Sequence, residues 1–476
     1  MMQARQRLTT GTPFRGPRLA VVAVVLAAGT AACGTRLSHD RLLADATRPA
    51  RDGAVAGQAS ASGSTGATDA VTGVQPTNVG AGGAASGAGA SAASAGSGGP
   101  SGVAAARSGG DSGSCTGSKA PIVIASVGEY SGVLGSIETA GTKSVQAWVA
   151  TVNAHGGLKC HPVRYVVYDA GGDPSRQQAF TQRAVEQDHA IAFVYNGSAI
   201  AGGAAVNYIQ QHRVPVIGEE GGNSWSCQNS MYFPVMSSCA QGTQGAYQVL
   251  AKVVKSGTKV AAITCVEVPY CAAWHEDAAK DAQEAGLTLV SNSSVSLTQP
   301  DYTSACLQAK NAGAQLLVLG MDSTAMGRTK RSCSSVGLNV PFIGPGSAFT
   351  PAAASDSGLE GAWTDSSTRL LPASDPAVAE WMSALKKYVP GEPISPNGSI
   401  GWVAAKVFEL AAQNVADAPT SQAILDGLWA IKGNDVHGMT KPLTYVKDQP
   451  APTTATCWFA VTISRGAWSN GQKICM

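Results

Sequence analysis

The stretch Val214-Pro215-Val216-Ile217-Gly218-Glu219-Glu220-Gly221-Gly222-Asn223-Ser224-Trp225-Ser226-Cys227 changes character part-way along. Val214 to Ile217 is short, apolar and largely β-branched, as expected of a strand buried on both faces of a parallel sheet. Then come Gly218, two adjacent carboxylates at Glu219 and Glu220, and the pair Gly221 and Gly222. In open parallel sheets ligands bind beyond the carboxyl ends of the strands, so Glu219 to Asn223 reads as a loop lining a crevice. Glycines there let the backbone approach a ligand and leave amides free to donate. The competing reading is a solvated acidic turn, the usual fate of exposed carboxylates.

Working outward, the chain from Lys119 onward alternates apolar strands with amphipathic helices. Strands are expected at 121–127, 163–168, 190–195 and 214–217. Val145, Trp148, Val149 and Val152 form one face of a helix that stops at Gly156 and Gly157, and further helices are expected at 174–187 and 204–211. A second series follows, with strands at 260–264, 288–293, 316–319 and 340–343 and helices at 272–285, 302–312 and 324–335. Late helices are expected at 376–388 and 400–415, before a terminal hairpin turning at Arg465-Gly466. Such alternation implies parallel sheets covered on both faces, and its length favours two lobes over one sheet.

The first hundred residues are different. Arg5, Arg7, Arg15 and Arg18 precede an apolar run, Leu19 to Ala28, of signal-peptide length. Thr30-Ala31-Ala32-Cys33 resembles a bacterial lipobox, in which the cysteine is acylated, although Thr30 stands where Leu is usual. Residues 1–32 are therefore read as a signal peptide and Cys33 as a lipidation site; an ordinary signal peptide with a chance cysteine is the alternative. Residues 33–118, almost pure Gly, Ala and Ser in places, lack the apolar side chains needed to offset ordering entropy. They are expected to be a disordered tether with a reach on the order of 50 Å.

Eleven cysteines fit an exported protein, and setting Cys33 aside leaves ten. The expected bridges are Cys115–Cys160, Cys227–Cys239, Cys265–Cys271, Cys306–Cys333 and Cys457–Cys475, although spacing alone does not fix connectivity. The sequence has no CxxC pair, and none of its seven histidines joins a clear ligand cluster, so no metal is expected. Net charge is +2, with no basic block beyond the signal region and nothing that points to nucleic acid.

Several collinear segments resemble the Leu/Ile/Val-binding protein family, the type I periplasmic solute-binding proteins of ABC importers. They are SVGEYSGVLG (126–135), VNAHGGLKCHPVRYVVYDAGGDPSRQ (152–177), FVYNGSAIA (193–201), VEVPYCAAW (266–274), LLVLGMDSTAMGR (316–328) and VPFIGPGSAF (340–349). The resemblance covers nearly all of residues 119–476. It implies an α/β fold of two Rossmann-like lobes with parallel sheets, joined by three crossovers and closing on a solute by hinge motion. The lobes would comprise 119–238 with 366–438, and 239–365 with 439–476, crossing near 237–241, 363–367 and 438–442.

The strand-end rule selects Tyr130, Ser131, Asn196, Gly197, Ser198, Glu219, Glu220, Gly221, Gly222, Tyr270 and Asp322 as candidate ligand-binding residues. The resemblance aligns Ser198 and Tyr270 with ligand-contacting positions; their structural alternatives are a capping Ser and a rim Tyr. Trp225 and Trp274 are expected to pack. Two departures stand out: the family's carboxylate-holding Thr aligns with Gly222, and its ammonium-holding Glu falls at Gly346. The remaining carboxylates then favour a small polar solute, such as an amino acid or amide, with a donor-rich or positive group.

The resemblance further implies an extracytoplasmic lipoprotein on the outer face of the cell membrane, monomeric, with ABC permease subunits as partners. A ligand-sensing receptor of the same fold is the alternative. Without a G-x-S-x-G elbow, a P-loop or an H-E-x-x-H pattern, an enzyme is not expected, and no cofactor is implied.

Overall fold

The computed structural model describes residue 115 and residues 119–132, 134–218, 224–236, 244–451 and 457–476. The expected signal peptide, Cys33, nearly all of the tether and the first crossover at 237–241 lie outside these residues.

The first lobe is built on a five-stranded parallel sheet in the order β2-β1-β3-β4-β5. Its strands are β1 (Ile122–Gly128), β2 (Val163–Asp169), β3 (Ala192–Val194), β4 (Val216–Ile217) and β5 (Tyr232–Phe233). Helices α1 (Gly135–Ala154), α2 (Pro174–Glu186) and α3 (Val206–His212) connect them. Every residue of β1, β3 and β4 is buried, which accounts for their continuous apolar runs. Gly156 and Gly157 end α1 with positive φ, and their N–H groups donate to the Asn153 and Val152 carbonyls.

The second lobe carries a seven-stranded sheet in the order β14-β13-β10-β9-β8-β6-β7. Its strands are β6 (Lys259–Thr264), β7 (Thr288–Ser294), β8 (Leu316–Gly320), β9 (Phe342–Gly344), β10 (Trp363–Ser366), β13 (Cys457–Ser464) and β14 (Ala467–Cys475). Strands β6 to β10 are parallel, while β13 and β14 are antiparallel at the edge. The sheet buries both faces: Ala261, Ile263, Phe459 and Val461 belong to one cluster, and Val260, Ala262, Trp458 and Ala460 to the opposite one. That is the period-two signature of strands with two covered sides. Helices α4 (Gln244–Val249), α5 (Pro269–Glu284), α6 (Thr303–Asn311) and α7 (Ser323–Ser335) lie among these strands in the chain.

Three later helices, α8 (Pro376–Tyr388), α9 (Pro396–Ala411) and α10 (Ser421–Ala430), return to the first lobe and pack into its core. Helices α2, α8 and α9 start alike: Asp173, Asp375 and Ser395 accept N-terminal N–H bonds and a proline follows each. Such caps are each worth about 1 kcal/mol, and the proline gives up an N–H that has no partner in the first turn.

Two expected crossovers are corrected. Residues 363–367 are mostly strand: β10 lies between β9 and β13, and the chain leaves the second lobe only after it. Its polar Thr364, Asp365 and Ser366 hid a buried strand. Residues 438–442 do not cross either. The pair β11 (Lys432–Asn434) and β12 (Leu443–Thr444) forms there, and Met439, Leu443 and Tyr445 sit in the first lobe's core. Thr440 Oγ1 donates to the Val235 carbonyl and the Tyr445 hydroxyl to that of Pro234, at 2.8 and 3.0 Å. The chain rejoins the second sheet at Cys457, so the segment through Tyr445 goes with the first lobe. Strand β5, helix α10 and the β11–β12 pair were not foreseen.

Disulfides join Cys115 to Cys160, Cys265 to Cys271, Cys306 to Cys333 and Cys457 to Cys475. The last pair is directly opposed across β13 and β14. Cys227 is also disulfide-bonded, and its expected partner Cys239 lies outside the described residues.

Candidate functional site

A cavity of about 360 Å³ lies where the carboxyl ends of strands from both lobes converge. The first lobe contributes Leu134, Ile137 and Glu138 from the start of α1, Ala199 and Ile200 after β3, Met236 after β5, and Pro396 and Ile400 from α9. Loops after β6, β7, β8 and β9 and the first turn of α5 supply the facing wall, including Val268, Tyr270, Leu297, Met321, Asp322 and Ala348. Asp365 and Ser366 at the end of β10, with Trp458 of β13, complete it. The volume falls within the range of small-molecule sites, about 300–1,000 Å³. Most lining side chains are apolar, and none is Lys, Arg or His among the described residues.

The acidic side chains in this wall differ in how they are engaged. Glu138, 1% exposed, accepts from the Tyr195 hydroxyl at 2.8 Å. Asp322 caps α7, accepting from the Thr324 and Ala325 N–H groups at 2.8 and 3.1 Å. Glu267 takes bonds from Ser296 Oγ and the Leu297 and Val266 N–H groups. Desolvation works against its charge, but these bonds win and hold its carboxyl below the usual range. Asp365 is 5% exposed and accepts from the Gly346 N–H at 3.3 Å. Burial drives its carboxyl well above the usual range, with the hydrogen bonds from its own and the Gly346 N–H only partly opposing.

Of the sequence candidates, Tyr270 and Asp322 line this cavity. The others that can be located do not, and the structure gives several of them local work. The Tyr130 hydroxyl donates to the Tyr195 carbonyl at 3.1 Å, and Ser131 is exposed beyond the wall. Asn196 is buried and its Oδ1 accepts from the Val127 N–H at 3.0 Å, tying the end of β1 to the loop after β3. A Cβ at Gly197 would come within 2.3 Å of Glu138 Oε2, so that glycine admits a carboxylate of α1. Ser198 is buried next to Ala199, which does reach the cavity. Glu219, Glu220, Gly221 and Gly222 lie outside the described residues. Trp274 is packed, 1% exposed, with Tyr270 against it at 5.6 Å; nothing is described of the Trp225 side chain.

Sequence reasoning missed Glu138, Asp365, Ile400 and Trp458. An acid inside the otherwise strand-like Trp363-Thr364-Asp365-Ser366 was a usable signal, because a charge mid-strand asks for a reason. Ile400 and Trp458 are distant in sequence and carried no local sign of a cleft.

A family model described as periplasmic binding protein matches residues 121–469. This chain belongs to the periplasmic binding protein family. Its fold is the type I periplasmic binding protein fold of the branched-chain amino acid binding proteins. One solved structure similar to it is the branched-chain amino acid transporter substrate-binding protein LivJ from Streptococcus pneumoniae in complex with isoleucine. The identity is 18%, with a TM-score of 0.62 over 75% of this chain and 100% of that one. The leucine-binding protein LivK from Thermotoga maritima is 14% identical, with a TM-score of 0.62 over 74% and 99%. A fatty acid ABC transporter substrate-binding protein from Thermomonospora curvata is 17% identical, with a TM-score of 0.63 over 75% and 92%. At these identities the likeness carries the fold of the periplasmic binding protein and not its ligand. No curated protein sequence matches the chain.

Proposed function

We propose that this periplasmic binding protein captures a small solute between its lobes and delivers it to the permease of an ABC importer. In this reading a lipid on Cys33 holds it at the outer face of the cell membrane, and the tether of 33–118 lets the lobes reach the permease. The observation that carries the reading is the cavity itself, built from both lobes at the carboxyl ends of their strands. A site divided in this way gains contacts from each lobe when the lobes close, so ligand affinity drives closure. The wall supports a solute whose bulk is apolar, a shift from the donor-rich or cationic solute that the Glu219 and Glu220 loop favours. The similar structures are named for branched-chain amino acids and for a fatty acid, and each of those ligands has an apolar body.

A thermal-shift screen of the full chain against amino acids, amides, alcohols and short acids tests this. A true ligand at 100 times its dissociation constant stabilises the protein by about 2.7 kcal/mol. An Ala348→Trp variant, which fills the cavity, should lose the shift. A shift that survives in that variant would place the ligand elsewhere and overturn the reading.

A further inference from the structure

One corner of the cavity differs from the rest. Asp365 and Trp458 are 5% and 1% exposed, yet both line the cavity. One Asp365 oxygen takes the Gly346 N–H; the other has no hydrogen bond among the described residues. The Trp458 indole N–H likewise has none there. The two groups lie together against Gly245 of α4, where a Cβ would fall 2.4 Å from Asp365 Oδ2 and 2.5 Å from Trp458 Nε1. Gly245 therefore lets α4 pack directly against both groups, and any other side chain there would displace them. An indole N–H and a carboxyl oxygen left unmet in a buried site are costly, so a group that pairs with both is favoured over one that cannot.

We propose that this corner seats the polar end of the solute, and that the end is uncharged: an amide, alcohol or carbonyl on an otherwise apolar body. The proposal rests on the cavity being the solute site. A carboxylate end would enter a wall holding Glu138, Glu267, Asp322 and Asp365 with no basic side chain among the described lining residues. An ammonium end would require Asp365 to ionise where burial outweighs the bonds from its own N–H and from the Gly346 N–H at 3.3 Å. Burial favours the protonated acid, which can donate and accept at once. Beside an indole that only donates, it offers complements to a carbonyl oxygen and to an N–H or O–H.

Calorimetry at pH 7 with matched probes tests the assignment. The probes are 3-phenylpropanamide, 3-phenylpropan-1-ol, 3-phenylpropanoate and 3-phenylpropylamine, with the same four end groups on an octyl chain. The amide and alcohol should bind at least about tenfold more tightly than the acid and amine of the same skeleton. Asp365→Asn, neutral and isosteric, should hold the amide within a few-fold. Asp365→Leu should weaken it about tenfold, and Trp458→Phe should weaken it as well. Far-ultraviolet circular dichroism and the unliganded melting temperature establish that each variant is folded. Amine binding that matches the amide and disappears in Asp365→Asn would overturn the assignment in favour of an ion pair. Amide binding that is unchanged in Asp365→Leu but abolished in Ala348→Trp would overturn the corner and keep the cleft. If no probe on either skeleton binds the unmutated protein, the cleft reading fails and this proposal with it.

Discussion

Asp281→Asn should stabilise the protein at neutral pH and remove part of its acid–base dependence. Asp281 lies on α5, four residues after Asp277 and three before Glu284, so three carboxylates share one helical face. It is 3% exposed, and its Oδ2 has no hydrogen-bond partner among the described residues. Across from it on α4, burial first and then the Asp281 charge push the Tyr247 phenol upward. Gln244 of the same helix donates to Glu284 at 2.6 Å. Burial, then the charges of Asp277 and Glu284, raise the Asp281 carboxyl from 3.8 to about 7, with Lys280 pulling weakly the other way.

The sign follows from proton counting. Between about pH 4 and 7 the folded protein keeps a proton on Asp281 that the unfolded chain has released, so stability falls as pH rises through that window and levels off above it. At about 1.36 kcal/mol for each unit the full shift would be worth about 4 kcal/mol, and allowing for solvent screening leaves about 1–2 kcal/mol. Asparagine keeps the shape and carries no charge. Urea unfolding of both proteins at pH 5, 6, 7 and 8, followed by tryptophan fluorescence, measures the effect. The variant should gain about 1–2 kcal/mol on the native protein between pH 5 and 8. Parallel pH profiles would refute the argument that Asp281 is held protonated by burial.

Three further outcomes are expected. Gly401→Ala puts a Cβ 2.2 Å from the Gly141 carbonyl oxygen, so α1 and α9 must separate; urea melts should show a loss of about 1–3 kcal/mol. Replacing Cys457 and Cys475 together by Ser opens a bridge across 18 residues and should cost about 3 kcal/mol in the same assay under oxidising conditions. Cys33→Ala should move the protein from the membrane fraction to the soluble fraction without changing the lobes' melting temperature, and retention in the membrane fraction would count against the lipid anchor.

Much of the fold was legible because parallel strands buried on both faces leave continuous apolar runs, as in Val214 to Ile217 and Leu316 to Leu319. Asp-Pro pairs marked helix starts to within a residue at Pro174 and Pro376, whereas the helix after Ser395-Pro396 was expected four residues too late. Elements without such punctuation were lost. Three of the four residues from Trp363 to Ser366 are polar, and the strand's burial depends on its neighbours β9 and β13. Leu443 and Tyr445 are flanked by Lys441-Pro442 and polar residues, so a docked segment looked like a linker.

The cavity was legible only in outline. Strand-end logic found Asp322, just after β8, and Tyr270, at the start of the helix that follows β6. It could not tell a side chain facing the cleft from one knitting the strand ends together, as Asn196 does. Nor could it find Asp365 beside Trp458, since that neighbourhood forms when the terminal hairpin joins the second sheet.

The most direct test of the central claim is a crystal structure of the protein with the first solute that stabilises it. The account predicts electron density for that solute between Ile137 and Ile400 of one lobe and Met321 and Ala348 of the other, its polar end beside Asp365. Density for the same solute outside this cavity, with the space between these residues empty, would contradict it.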